Sequence, residues 1–268
     1  MTISTHVYPE KSLEAVVITP KALSLCVTET LYSAAQETYQ DIAAMTQTQS
    51  VDAVVASLLP AQKYLPHASS MNLGAINNRA LVETLLAEIA GGPAGYQIRK
   101  MLGSNQVLCD FDQAWIRRQY APHLYPTNHA PHGWHQDGAL GFDFLATNNK
   151  QLDPEGLLPT VTCWIALTKC GVDAPGLEFV SQTVDALLLP EELTSHSINS
   201  RFSVDSFYTP QMDAGDALIF QGGTLHRTHV VKIMQTNRTS VELRFVAKHN
   251  IPQRLSGDYF IPMPNGNE

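Results

Sequence analysis

Between Pro20 and Met45 the chain places Leu23, Val27, Leu31, Ala35 and Tyr39 at four-residue intervals, the apolar stripe of an amphipathic helix. A second helix is predicted over Asn78 to Ile89. There Leu81, Leu85 and Ile89 share a face, and Gly91-Gly92-Pro93 ends the pattern. The stretch from Leu58 to Leu73, with two prolines and mixed polarity, reads as loop. From about Val107 the period shortens. Apolar runs rich in β-branched and aromatic residues appear as QAWIRRQY (113–120), TVTCWIAL (160–167), LEFV (177–180), SVDSFYT (203–209), DALIF (216–220) and TSVELRFVA (239–247). Pro, Gly, Asn and Asp separate them. Short strands at this spacing predict a β-sandwich or barrel rather than alternating β-α units. In TSVELRF the alternation is strict, with Val241, Leu243 and Phe245 on one face. The expected organisation is one domain, 1–268, in three parts: a mostly helical part (1–105), a β core (106–250) and a C-terminal tail (251–268).

Composition narrows the function classes. The 268 residues carry a formal net charge of −8 and no Lys/Arg run, a poor match to nucleic acid or an anionic membrane. No secretory leader is visible at the N-terminus, and no run of about 18 apolar residues occurs. Cys26, Cys109, Cys163 and Cys170 show no C-x-x-C spacing. They are expected to be free thiols in a reducing compartment, so the expected localisation is cytoplasmic.

The candidate chemistry lies in GWHQDG. On an extended segment residues two apart project to the same side, so His135 and Asp137 present an imidazole and a carboxylate together. A second histidine segment, TLHRTH, follows about ninety residues later. Two histidines and one carboxylate on one face of a metal leave open positions, which suits Fe(II) oxygen chemistry and not a closed structural zinc site. His226 is preferred to His229, which lies three residues on and faces the other way. Arg238 opens the last long strand. A buried arginine there needs an anion, and a carboxylate would pair with it bidentately. His123, His129 and His132, in a Pro-rich loop, are taken as loop residues.

The order WHQDG, TCWIAL, CGVDAPGLEFV, GDALIF, TLHRT and NRTSVELRF resembles the phytanoyl-CoA dioxygenase family of 2-oxoglutarate enzymes over roughly residues 105 to 250. The resemblance implies a mainly β fold with flanking α, a double-stranded β-helix (jelly roll) with the N-terminal helices packed outside. It implies Fe(II) on His135, Asp137 and His226, with 2-oxoglutarate as co-substrate and O2 as oxidant. It also implies Arg238 on the far carboxylate of 2-oxoglutarate, with help from Thr228. Arg238 follows the distal histidine by twelve residues where the family has eleven, which a one-residue insertion in VVKIMQTN accounts for. Alignment of the strand endings favours Arg238 over Arg244. The family also uses a polar residue on the strand before His-x-Asp, and Arg117 and Gln119 both qualify. FVSQT stands where the family has Pro-Gly-Ser-His, so the chain is a divergent member. The implied reaction is C–H oxidation, by default hydroxylation, releasing succinate and CO2. A carboxylate at position 137 leaves no ligand position for a halide. The substrate is expected to be a free small molecule of specialised-metabolite type, since no cationic cluster suits a CoA. Two alternatives stand beside this one: a cupin-like metal enzyme without 2-oxoglutarate, and an inactive jelly-roll binding module.

Overall fold

The computed structural model describes residues 15–46, 70–125, 131–139, 156–184 and 186–265. Residues 58–69 of the expected loop, and His129, lie outside them. In chain order the longer elements are β1 (Val16–Thr19), α1 (Leu25–Thr46), β2 (Ser70–Asn72), α2 (Arg79–Gly91), α3 (Pro93–Leu102), β3 (Val107–Gln119), β4 (Val161–Ala166), β5 (Gly176–Val180), α4 (Ser195–Arg201), β6 (Phe207–Tyr208), β7 (Ala217–Gln221), β8 (His226–His229), β9 (Arg238–Ala247) and β10 (Phe260–Pro262).

The stripe on α1 is the buried one: Leu31, Ala35 and Tyr39 are almost fully enclosed, and the Tyr39 hydroxyl donates to the Ile116 carbonyl of β3 at 3.0 Å. Burying each large apolar side chain of such a stripe is worth about 1.5–3 kcal/mol. The side chain of Asn78 caps α2 by accepting from Leu81 N. Gly91-Gly92-Pro93 does more than the pattern announced, because it also starts α3. Gly92 is the N-cap and Pro93 takes the first helical position, where its missing N–H costs nothing. The two helices then turn so tightly that a Cβ on Gly95 would stand 2.5 Å from the Ile89 carbonyl.

Among the described residues the strands form two antiparallel sheets, in the orders β1-β7-β4-β9-β3-β10, with β2 added on β3, and β6-β5-β8. This is the β-sandwich expected from the strand pattern, in the jelly-roll form that the family resemblance implied. The outer face of the large sheet carries Ile116, Cys163, Ile165, Ile219, Val241, Leu243 and Phe245, packed under the helices. Its other face looks towards the small sheet, where Trp164, Leu218 and Phe220 meet Leu177 and Phe179.

Four differences from the expectation are local. β1 and β10 join the large sheet from the two ends of the chain, and β2 falls inside the expected loop. Of the run 203–209 only Phe207 and Tyr208 are strand, because 204–206 is a 3-10 turn in which Ser206 N bonds to Ser203 O and the two hydroxyls lie 3.1 Å apart. No helix among the described residues is long and apolar enough to cross a membrane.

Candidate metal centre

The segment 131–139 runs antiparallel along β8. His135 N donates to His226 O (2.9 Å), His226 N to His135 O (3.2 Å), Thr228 N to His132 O (3.0 Å) and Gly138 N to Gly222 O (2.7 Å). Glycine is needed at that last contact, since a Cβ on Gly222 would lie 2.9 Å from Gly138 Cα. The segment is pinned from inside by Gln136. Its amide nitrogen donates to the carbonyls of Ala186 and Gly223, and its oxygen accepts from Leu188 N.

With Gln136 turned into the protein, His135 and Asp137 face the space between the sheets, and His226 meets them from β8. One ligand atom from each of the three lies within 4.8 Å of the others. Asp137 Oδ1 is 3.7 Å from the Nε2 of both histidines. Each imidazole is held through its other nitrogen, His135 Nδ1 by Gly133 O at 2.8 Å and His226 Nδ1 by Thr224 O at 3.0 Å. A carbonyl can only accept, so the proton sits on Nδ1 and the Nε2 lone pair is directed inward. Phe179 stacks on the His226 ring and Phe220 meets it edge-on. Burial and the neighbouring His226 hold His135 down at about 3, so it is neutral and ready to coordinate at neutral pH. Asp137 is ionised. Burial opposes this, but Arg244, His226 and His135 together hold its carboxyl well below the usual carboxylate range. Two imidazoles and one carboxylate in an enclosed site are a fitting donor set for a divalent first-row metal.

The inner face of β9 carries Arg238, Ser240, Glu242 and Arg244, the polar half of the alternation whose apolar half is Val241, Leu243 and Phe245. Arg238 is 2 % exposed. Its Nη1 donates to Gly176 O at 3.2 Å, the β5 residue opposite His229, and its guanidinium lies over Trp164 at 5.1 Å. Burial draws its pKa down to about 10, which leaves it cationic. Arg238 Nε and Ser240 Oγ are buried polar atoms with no hydrogen-bond partner among the described residues, one guanidinium N–H and one hydroxyl on the same face of one strand. An unpaired buried polar atom costs about 1–3 kcal/mol, and a carboxylate accepts from both kinds of donor.

Thr228 shares a face with His226, opposite Leu177. Gln119 stands across from Arg238 in the β3–β9 register and Arg117 across from Ser240. Arg117 is committed to Glu242 through an ion pair of 2.7 Å. His229 lies at the far end of β8 and outside the cluster of three. His132 is exposed, its ring 5.9 Å from that of His135.

Three residues that reasoning from sequence passed over, Thr162, Glu242 and Gln136, and Arg244, which it weighed only as the rival of Arg238, complete the surroundings of Asp137. Thr162 Oγ1 donates to Asp137 Oδ2 at 2.7 Å and Arg244 Nη2 to Asp137 Oδ1 at 3.0 Å. Arg244 also pairs with Glu242, and Gln136 acts as described above. Although burial raises it, Arg117 and then Arg244 hold the Glu242 carboxyl at about 2. The signal for Glu242 and Arg244 was present in RTSVELRF, where a strand alternating this strictly puts its charges on one buried face.

The chain resembles several solved oxygenase structures. EctD from S. alaskensis in its apoform aligns with 15 % identity and a TM-score of 0.56 over 95 % of this chain and 77 % of that one. The same protein with bound Fe aligns at 14 % and 0.59, over 93 % and 80 %. The non-heme monooxygenase ThoJ, in its apo form, aligns at 13 % and 0.52, over 94 % and 82 %. At these identities the likeness is one of fold. No curated protein matches the chain. The profile of the phytanoyl-CoA dioxygenase family matches residues 96–232, just over half of the chain, a stretch that takes in His135, Asp137, His226 and Thr228 and stops short of Arg238. On that match the chain belongs to the phytanoyl-CoA dioxygenase family and is an enzyme of that oxygenase class.

Proposed function

We propose that the protein is an Fe(II)- and 2-oxoglutarate-dependent dioxygenase that oxidises a C–H bond of a free small organic molecule, by default through hydroxylation. The observation that carries this reading is the convergence of three inward-facing donor atoms within 4.8 Å, beside a buried guanidinium Nε and a buried hydroxyl that have no partner among the described residues. His135 Nε2, Asp137 Oδ1 and His226 Nε2 would hold the iron. Bound there with 2-oxoglutarate, iron supplies activation of O2 for attack on an unactivated C–H bond, with succinate and CO2 released.

The remaining roles belong to the protein's own side chains. Arg238, assisted by Ser240 and Thr228, receives the far carboxylate of 2-oxoglutarate through charge-assisted hydrogen bonds. Gln119, across from Arg238, is better placed than Arg117 to steady the co-substrate, because Glu242 already occupies Arg117. Phe179 and Phe220 fix the His226 ring and keep water from that side. The thiols of Cys26, Cys109, Cys163 and Cys170 are all free, which supports a cytoplasmic setting. The reading takes the chain as one folding unit, since strands from both of its ends share the large sheet.

The test is anaerobic loading with Fe(II) and 2-oxoglutarate, followed by exposure to O2. Iron-dependent succinate, lost in Asp137→Ala, is the expected result. Succinate that forms equally well in that variant would refute the assignment. Screening candidate small molecules for stimulated succinate release would then identify the substrate class.

A further inference from the structure

The buried polar network around Asp137 extends well beyond a single supporting hydrogen bond. Four charged side chains alternate in sign: Arg117, Glu242 and Arg244 on the inner face of the large sheet, and Asp137 meeting them from the segment 131–139. Glu242 accepts from Arg117 Nε at 2.7 Å and pairs with Arg244 through its other oxygen. Arg244 Nη2 reaches both Glu242 and Asp137 Oδ1, while its Nη1 donates to the Gln113 carbonyl at 3.3 Å. That carbonyl is available because β3 bulges between Asp110 and Trp115. Arg244, Glu242 and Asp137 are each less than one-tenth exposed.

A chain of buried charges is expensive and is weak evidence for stability. Its geometry at Asp137 is specific, however. Thr162 and Arg244 are register partners on β4 and β9, and they take one oxygen each of the same carboxylate. Oδ2 accepts from Thr162 at 2.7 Å. Oδ1 is the oxygen 3.7 Å from both imidazole nitrogens, and Arg244 occupies one of its two lone-pair directions. One direction remains for a metal. A guanidinium so close to a ligand oxygen is also a competitor, since it repels a divalent cation and would chelate the carboxylate bidentately if unopposed. Glu242 opposes it.

We propose that Glu242 and Arg244 form a charge-balanced clamp that positions Asp137 as a one-oxygen metal ligand, with Glu242 restraining Arg244 from competing with the metal. The proposal rests on the reading of His135, Asp137 and His226 as metal ligands. Both residues are positioning residues, acting through Asp137. Removing Glu242 alone frees a cation beside the site. Removing the charge of both residues restores neutrality and returns Oδ1 to the metal.

The experiment is anaerobic titration of the full chain with Co(II), whose visible absorption reports both binding and coordination number, on wild type, E242Q, E242Q/R244Q and D137A, with folding checked by circular dichroism. E242Q is expected to bind Co(II) at least about tenfold more weakly, the scale on which residues that support a ligand act. The double variant is expected to recover to within about threefold of wild type. Its weaker visible bands would show a higher coordination number, because Asp137, no longer pinned by Arg244, can turn to give the metal both oxygens. A purely structural role predicts the reverse, with the double variant at least as impaired as the single. E242Q binding as tightly as wild type, or a double variant no better than E242Q, overturns the clamp. Should E242Q fail to fold, R244K carries the test. Lysine keeps the charge but cannot reach Asp137 and Glu242 with one planar fork, so affinity falls and the spectrum shifts, whereas an unchanged titration and spectrum overturns the clamp. Wild type that binds no Co(II), or binding that survives in D137A, sinks the metal-ligand reading itself. Loss in D137A with E242Q unaffected sinks the clamp alone.

Discussion

His135 and His226, about ninety residues apart in the chain, exchange both of their backbone hydrogen bonds, and their ring centroids lie 4.1 Å apart. A residue pair that exchanges both bonds is locked in register. The two imidazoles therefore share one side of the bridge for reasons set by the backbone, before any metal contributes. Asp137, two residues along from His135, lands on the same side by the period of the extended chain.

Asp137→Ala removes the oxygen that lies 3.7 Å from both Nε2 atoms. The loss of divalent-metal affinity should exceed about a hundredfold, more than residues outside the ligand set produce, and iron-dependent succinate formation should vanish. Metal titration with the succinate assay checks both, and near-native affinity would remove Asp137 from the ligand set.

Arg238→Ala should weaken 2-oxoglutarate by about ten- to a hundredfold, the equivalent of about 1.5–3 kcal/mol for a charge-assisted contact. Metal affinity should hold, because no ligand is touched. Arg238→Lys should recover part of the loss. Titration of 2-oxoglutarate into Fe(II)-loaded protein, followed by the charge-transfer absorbance, measures the effect. Arg244→Ala is the informative comparison: it should act first on the metal, since its guanidinium touches Asp137 and not the orphaned pair on β9.

Ser240→Ala separates binding from stability. The Ser240 hydroxyl is buried without a partner, so its removal should leave the thermal midpoint of the ligand-free protein unchanged or slightly raised. The same change should weaken 2-oxoglutarate by a few-fold, one neutral hydrogen bond being worth about 0.5–1.5 kcal/mol. A fall in the midpoint with no effect on 2-oxoglutarate would mean that the hydroxyl serves the fold.

Gln136→Leu keeps the volume of the side chain and deletes its bonds to Ala186, Gly223 and Leu188. The stranded backbone groups should cost about 2–3 kcal/mol, visible as a lower urea midpoint. Metal affinity should fall less than in Asp137→Ala, because both histidines remain in place. A variant as stable as wild type would show that the loop at 184–188 is held by other means.

Asp110 gives the fold a pH dependence of its own. Burial and then the Asp258 carboxylate push its pKa up to about 7, against about 3.9 in an unfolded chain. Below about pH 4 both states are protonated and nothing is lost. As pH rises from about 4 through 7 the unfolded chain releases its proton before the native state does, so stability declines across that window. Asp110→Asn removes the ionisation. Its stability relative to wild type should therefore rise with pH, by on the order of 1–3 kcal/mol between pH 4 and pH 8. Urea denaturation of the two proteins across that range measures it, and parallel curves would show that Asp110 ionises normally.

What the sequence determined alone is what local geometry determines. The stripe on α1, the alternation of β9 and the shared side of His135 and Asp137 follow from periods of 3.6 and 2 that any backbone imposes on its own side chains. The core strands β4 and β7 were legible because burial on both faces forces near-continuous apolar runs, and β9 because of its strict alternation. Short β1, β8 and β10 were not, since HRTH or FIP becomes a strand only when a distant partner offers its hydrogen bonds. The site divides the same way. Alternation in RTSVELRF showed that Arg238, Ser240, Glu242 and Arg244 share a face, and the resemblance to a known family singled out Arg238. It could not show that Arg244 lies beside Thr162 and grips Asp137, or that Glu242 stands between Arg244 and Arg117. Those contacts depend on the register of β9 against β3 and β4. Register is decided by packing across the sheet, where a slip of one residue would turn all four polar side chains into the apolar core and expel Val241, Leu243 and Phe245 from it.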